Sequence, residues 1–176
     1  MHDRSRRRFD ARLVAAAAAL APALVALAGC APLAPAALPP GTPIAQARQS
    51  LFAPTGEYAL PGGGTRLEFA QGAFGRQTYM LDFDRGGALV ESRQVLTEPD
   101  FATIRPGMPA QEVLMRLGHP AQVFGVPRQQ LQVWNYRWFG GDCVWFQVSV
   151  SDTSGAVTEA GTGTDPACDG PRGGRD

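Results

Sequence analysis

The residues with the most distinctive chemistry in this chain are its three cysteines. Cys30 closes the run Leu27-Ala28-Gly29-Cys30, which resembles a bacterial lipobox. Small Ala and Gly suit a peptidase cleft, and only a thiol can accept a diacylglycerol thioether. Arg4, Arg6, Arg7, Arg8 and Arg12 precede an apolar stretch over residues 13–28 that Pro22 interrupts. That stretch falls short of the ~20 residues a spanning helix needs, and it matches the h-region of a signal peptide. Cys30 is therefore the expected lipidation site. Ser5-Arg6-Arg7-Arg8-Phe9 also resembles a twin-arginine signal, so both export routes stay open. Ala31 follows the cysteine rather than Asp, which favours the outer membrane over inner-membrane retention. With Cys30 on lipid, Cys143 and Cys168 form an even pair in an oxidising compartment, and a disulfide is expected.

Other reactive residue types lead to plainer readings. His119 follows Gly118, where a partial positive charge at a helix C-terminus is favoured; it has no neighbouring nucleophile or metal ligand in the sequence. Asp82 and Asp84 share a strand face, and a calcium site would need more oxygens at loop spacing. They read as a solvated face. Gly62-Gly63-Gly64 lacks the Lys-Ser/Thr of a phosphate loop and reads as a hairpin approach. No Gly-x-Ser-x-Gly or His-Glu-x-x-His motif occurs, and no active site, metal site or cofactor is expected.

Composition narrows the classes further. Hydrophobic residues at 44% and charged residues at 18% indicate a globular body. All basic residues are Arg, and residues 1–29 hold five of them against Asp3 and Asp10, net +3. The rest carries 11 Arg and 14 acids, net −3, which gives no footprint for nucleic acid.

The elements that must position these residues are organised by an internal repeat. At an offset of 66, Leu38-Pro39-Pro40-Gly41-Thr42-Pro43 lies over Ile104-Arg105-Pro106-Gly107-Met108-Pro109. Leu51 then meets Leu117, Pro54 meets Pro120 and Pro61 meets Pro127. Pro109 opens a helix, Val113, Leu114 and Leu117 form its stripe, and Gly118 with Pro120 stops it. In the first unit Thr42 is the expected N-cap, Pro43 opens, and Ile44, Ala47 and Leu51 form the stripe. Residues 97–104 read as a short helix with Thr97 as N-cap. Strands are expected around 66–69 and over 76–84, 88–96, 131–138, 143–151 and 156–162, from alternation and turn residues. The expected class is α+β: two tandem units, each with short helices on one face of a three-stranded antiparallel sheet.

In this arrangement Trp134, Tyr136 and Trp138 share one strand face and are expected in the core. Trp145 has the opposite parity to Phe146, Val148 and Val150, so it points away from the helices. It is there either as a packed ring or as an exposed interface anchor. Trp145, Gln147 and Ser149 form the candidate partner surface.

Residues 104–120, with Gly107-Met108, Val113, Leu117-Gly118 and Pro120, resemble the signature of the BamE (SmpA/OmlA) outer-membrane lipoproteins. Trp134-x-Tyr136, residues 146–150 and Gly155-x-Val157 continue the pattern. The family has Thr or Ser where this chain has Pro109, and generally one unit where this chain has two. Tandem units are similar to those of the β-lactamase inhibitory proteins. The resemblance implies a periplasm-facing, non-enzymatic outer-membrane lipoprotein, accessory to the complex that assembles β-barrel proteins or to envelope integrity. The inhibitory likeness implies the other expectation, an inhibitor or sensor bound to a soluble periplasmic enzyme. The expected organisation is a signal peptide over 1–29, a Pro/Ala tether over 30–40, units over 41–96 and 97–162, and a disulfide-pinned tail over 163–176.

Overall fold

The computed structural model describes residues 34–71, 75–140, 143–165 and Cys168. Cys30 and the leader lie outside the described residues. Two antiparallel meanders dominate. The first orders β1 (Gly56–Ala59), β2 (Thr65–Gln71), β3 (Gln77–Phe83) and β4 (Leu89–Gln94). The second orders β5 (Gln122–Val126), β6 (Leu131–Tyr136), β7 (Val144–Ser151) and β8 (Val157–Thr164). Helices are few and short: α1 (Ile44–Ser50), α2 (Glu98–Phe101) and α3 (Ala110–Leu117).

This corrects the expected fold class. Each sheet has four strands, not three, and the chain is mostly β. The added strands, β1 and β5, are both outer strands. β1 is only four residues long, and β5 has four of its five residues exposed. Neither presents the apolar–polar alternation that marks a half-buried strand.

Alternation along β3 explains how the layers stack. Leu81 and Phe83 are buried with Leu67, Phe69 and Leu89 against Ala47 and Leu51, at α1. Met80 points to the opposite face and joins Val113, Leu117, Phe101, Tyr136, Phe146 and Val148. Sheet 1 is therefore covered on both faces, and α2 and α3 lie between the two sheets. Trp138 is buried and Trp134 is partly buried in the same core, as their shared parity with Tyr136 requires.

Local chemistry sets the helix ends. Thr97 caps α2 by accepting from the Asp100 N–H at 3.3 Å. Thr42 does not cap α1: Pro43 occupies the N-cap position, and the Thr42 hydroxyl donates to the Pro39 carbonyl at 2.7 Å. Pro109 holds the same place before α3. The two helix entries are stapled alike. Gly41 donates to Leu89, Leu89 to Thr42, and Ile44 to Gly87, at 2.7, 2.9 and 2.9 Å. The corresponding bonds of the second half run from Gly107 to Val157, Val157 to Met108 and Ala110 to Gly155, at 2.7, 2.8 and 2.9 Å. Isolated bridges Pro43–Ala88 and Pro109–Ala156 complete the match.

The Cys143–Cys168 disulfide is present, with Cα atoms 5.5 Å apart and a sequence separation of 25. Arg137 pairs with Asp165 at 2.7 Å beside it, and the Asp165 N–H donates to the Cys143 carbonyl at 2.9 Å. Together these hold the end of β8 to the start of β7. Reduction is expected to lower stability by about 3 kcal/mol on loop entropy. Superimposable melting curves for the oxidised and reduced protein would contradict that.

Candidate functional site

Two places concentrate polar side chains where burial gives them consequence. The first is the face of sheet 2 turned away from the helices. Register sets Phe124 beside Val133, Asn135 beside Gln147, and Ser149 beside Glu159, with Gly161 and Gly163 opposite Gln147 and Trp145. Trp145 sits on this face, as its parity predicted, but its ring is covered and only 2% exposed. Arg137 lies over the indole with its guanidinium carbon 4.5 Å from the ring centroid, and Phe124 stacks at 6.2 Å. Phe124 itself remains 43% exposed, so the outward aromatic of this face is Phe124 rather than Trp145. Gln147 and Ser149 are half-buried and line a hollow of about 240 Å³ with Val133, Glu159 and Gly161.

Two donors on this face are left over. Gln147 Nε2 donates to Asn135 Oδ1 at 2.8 Å. Asn135 Nδ2 and Trp145 Nε1 are buried and have no hydrogen-bond partner among the described residues. A buried unpaired donor costs about 1–3 kcal/mol.

The second place is a carboxylate between sheet 1 and α3. Glu68 alternates with Leu67 and Phe69 on β2, so it points toward α3, and it is fully buried. Tyr58 donates to its Oε2 at 2.6 Å and Thr55 to its Oε1 at 2.8 Å. The His119 N–H donates to Oε1 at 3.0 Å, and His119 Nδ1 lies 2.9 Å from Oε2. Tyr136 donates to the Gly118 carbonyl at 3.0 Å. On the same face, Arg66 spans Asp82 and the Met115 carbonyl, each at 2.6 Å. Asp82 is thus an ion-pair partner rather than part of a solvated face. The α3 C-terminus is clamped onto β2 through Arg66 and Glu68.

Burial, with the Glu68 carboxylate beside it, holds the Tyr58 hydroxyl far above the usual phenol range. Tyr136 is raised for the same two reasons in the same order. A phenol whose proton is held more tightly when folded stabilises the fold fully below its unfolded value of 10.0 and loses that contribution as pH rises. Denaturant midpoints are expected to fall steadily above about pH 10. Tyr58→Phe should flatten that decline. An unchanged alkaline slope in the variant would refute the assignment.

His119 keeps its expected place after the α3 terminus, and Glu68 now explains its orientation. Sequence reasoning missed Glu68 because its partners lie far away in the chain; the His119 contact spans 51 residues. The only local signal was one carboxylate amid the apolar residues of β2. The Gly62–Gly64 segment forms the β1–β2 hairpin, with Leu60 N–H donating to the Gly64 carbonyl at 2.9 Å. A separate cavity of about 300 Å³ opens beside α2, with Phe101, Trp138 and Phe146 among its walls and Glu98 and Arg105 also lining it. Among the described residues no cluster of His, Cys, Asp or Glu could hold a metal ion. No described helix is long and apolar enough to cross a membrane.

No protein-family model matches the chain, and no curated protein does. A solved cysteine-rich secretory protein from Staphylococcus aureus subsp. aureus Mu50 aligns at 13% identity over 72% of this chain and 45% of its own, with a TM-score of 0.27. The chain thus spans less than half the length of that structure, and similarity at this level carries no argument about fold or function.

Proposed function

We propose that this chain is a lipid-anchored, periplasm-facing outer-membrane protein that acts by binding other proteins through the outer face of sheet 2. Its setting is β-barrel assembly or envelope integrity, and it has no catalytic role. The lipobox at Cys30 and the resemblance of residues 97–162 to the BamE family support the anchor and the setting. The observation that carries the binding surface is the pair of unpartnered donors, Asn135 Nδ2 and Trp145 Nε1, on one sheet face. A partner that brings carbonyl or carboxylate oxygens to this face, with small rearrangement of Arg137 and Gln147, would satisfy both. Phe124 supplies an aromatic edge to the same surface.

A photo-crosslinking residue placed at Gln147 or Ser149 in the native envelope tests this reading. Capture of barrel-assembly components is the expected result. Capture of a soluble periplasmic enzyme would make the protein an inhibitor or sensor, and absence of any reproducible partner would reject the surface. Separately, Cys30→Ala should leave the protein unprocessed or released from membranes. Unchanged membrane partition in that variant would overturn the anchor.

A further inference from the structure

The four sheet edges are defended very unequally. β1 is four residues long and carries Glu57, paired with Arg48 at 2.7 Å. β4 carries Glu91 and Arg93, shows a register shift at Asp82/Phe83, and is touched by the 35–37 turn, where Ser92 donates to the Pro35 carbonyl at 3.0 Å. β8 carries Glu159 and has a shift at Ser149/Val150 opposite it. Charges, bulges, brevity and coverings of this kind are how edges avoid pairing with other chains.

β5 has fewer of these defences. Its sequence Gln-Val-Phe-Gly-Val holds no charge, and it pairs with β6 over five consecutive positions without a shift. Val123 and Phe124, adjacent and so on opposite faces, are 49% and 43% exposed. Among the described residues only β6 pairs with this strand.

We propose that β5 pairs antiparallel with β5 of a second copy of this chain, about a two-fold axis at Phe124, to join two four-stranded sheets into one. The strand is complementary to itself. In this register Phe124 meets Phe124, Val123 meets Gly125, and Gln122 meets Val126. Two steps beyond, Arg128 falls opposite Pro120, so no like charges meet across the seam. Pro120 and Pro127 limit both strands to the same length, because proline cannot extend a ladder. A two-fold contact of this kind closes on itself and cannot propagate into a fibre. The pairing requires neither the lipid nor the partner proposed above.

The test uses the full chain in its native envelope. Phe124→Cys is treated with a short bismaleimide beside Val90→Cys, a site 61% exposed on the defended β4 edge. A covalent dimer of this chain should form at position 124 and be at least tenfold weaker at position 90. Adding Val123→Arg to Phe124→Cys should abolish the dimer while the thermal midpoint stays unchanged, since Val123 is not in the core. Equal crosslinking at both positions, or survival of the dimer with Val123→Arg, would each overturn the proposal.

Discussion

Glu68→Ala is expected to lower the unfolding free energy by about 3–4 kcal/mol, the sum of a cavity and the stranding of buried donors. The Tyr58 hydroxyl loses its acceptor, and Thr55 and the His119 N–H lose theirs on the carboxylate. His119→Ala should cost much less, about 1 kcal/mol. The imidazole is 52% exposed, and the backbone N–H at 119 still reaches Glu68. The ranking is the informative part. Chemical denaturation of both variants, followed by tryptophan fluorescence, measures it. Equal losses would mean that the imidazole, not the carboxylate, anchors α3 to β2.

Gly118→Ala is expected to be about as damaging, at roughly 3 kcal/mol or more. Two causes combine. Gly118 stops α3 at φ 79°, ψ −169°, a region essentially restricted to glycine. An added Cβ would also sit 2.8 Å from both Glu68 Cδ and Thr78 Cγ2, inside the clamp. Gly155 separates the two causes, because its φ is +65° and a Cβ there meets nothing within 4 Å. Gly155→Ala should therefore show the backbone cost alone, about 1 kcal/mol. If the two variants melt together, the steric account of Gly118 fails.

What was legible in the sequence follows from how far apart the interacting residues lie. Pro109 before α3, Gly118 after it and Thr97 at α2 act within a few residues, and their positions agree with the structure. The alternation of Tyr79, Leu81 and Phe83 marked one packed face of β3, but the expected half-buried strand is buried on both faces, with Thr78 and Met80 covered on the other. The same reasoning put Tyr136 and Trp138 in the core and Trp145 on the opposite side. It could not show that Trp145 is covered, because Phe124 comes from a strand with no alternation and Arg137 reaches across from just beyond the end of β6. Neither β1 nor β5 announced itself, and three-stranded sheets were expected in consequence. The Glu68 clamp was invisible for a different reason. Sheet 1 was expected to carry helices on one face only, yet α3 belongs to the second half of the chain and covers the other.

The paired staples bear on the order in which this chain can fold as it is made. Each helix entry is fixed by backbone bonds to the turn that precedes the last strand of its own meander: Pro43 with Ala88, Pro109 with Ala156. A chain emerging N-terminus first therefore holds an untethered α1 until β4 arrives, and an untethered α3 until β8 arrives. Helices this short do not persist alone in water. Sheet 1, for its part, has its second face bare until α3 docks. Nascent chains ending before residue 156 should accordingly stay protease-sensitive throughout the second half, with protection appearing in one step once β8 is free.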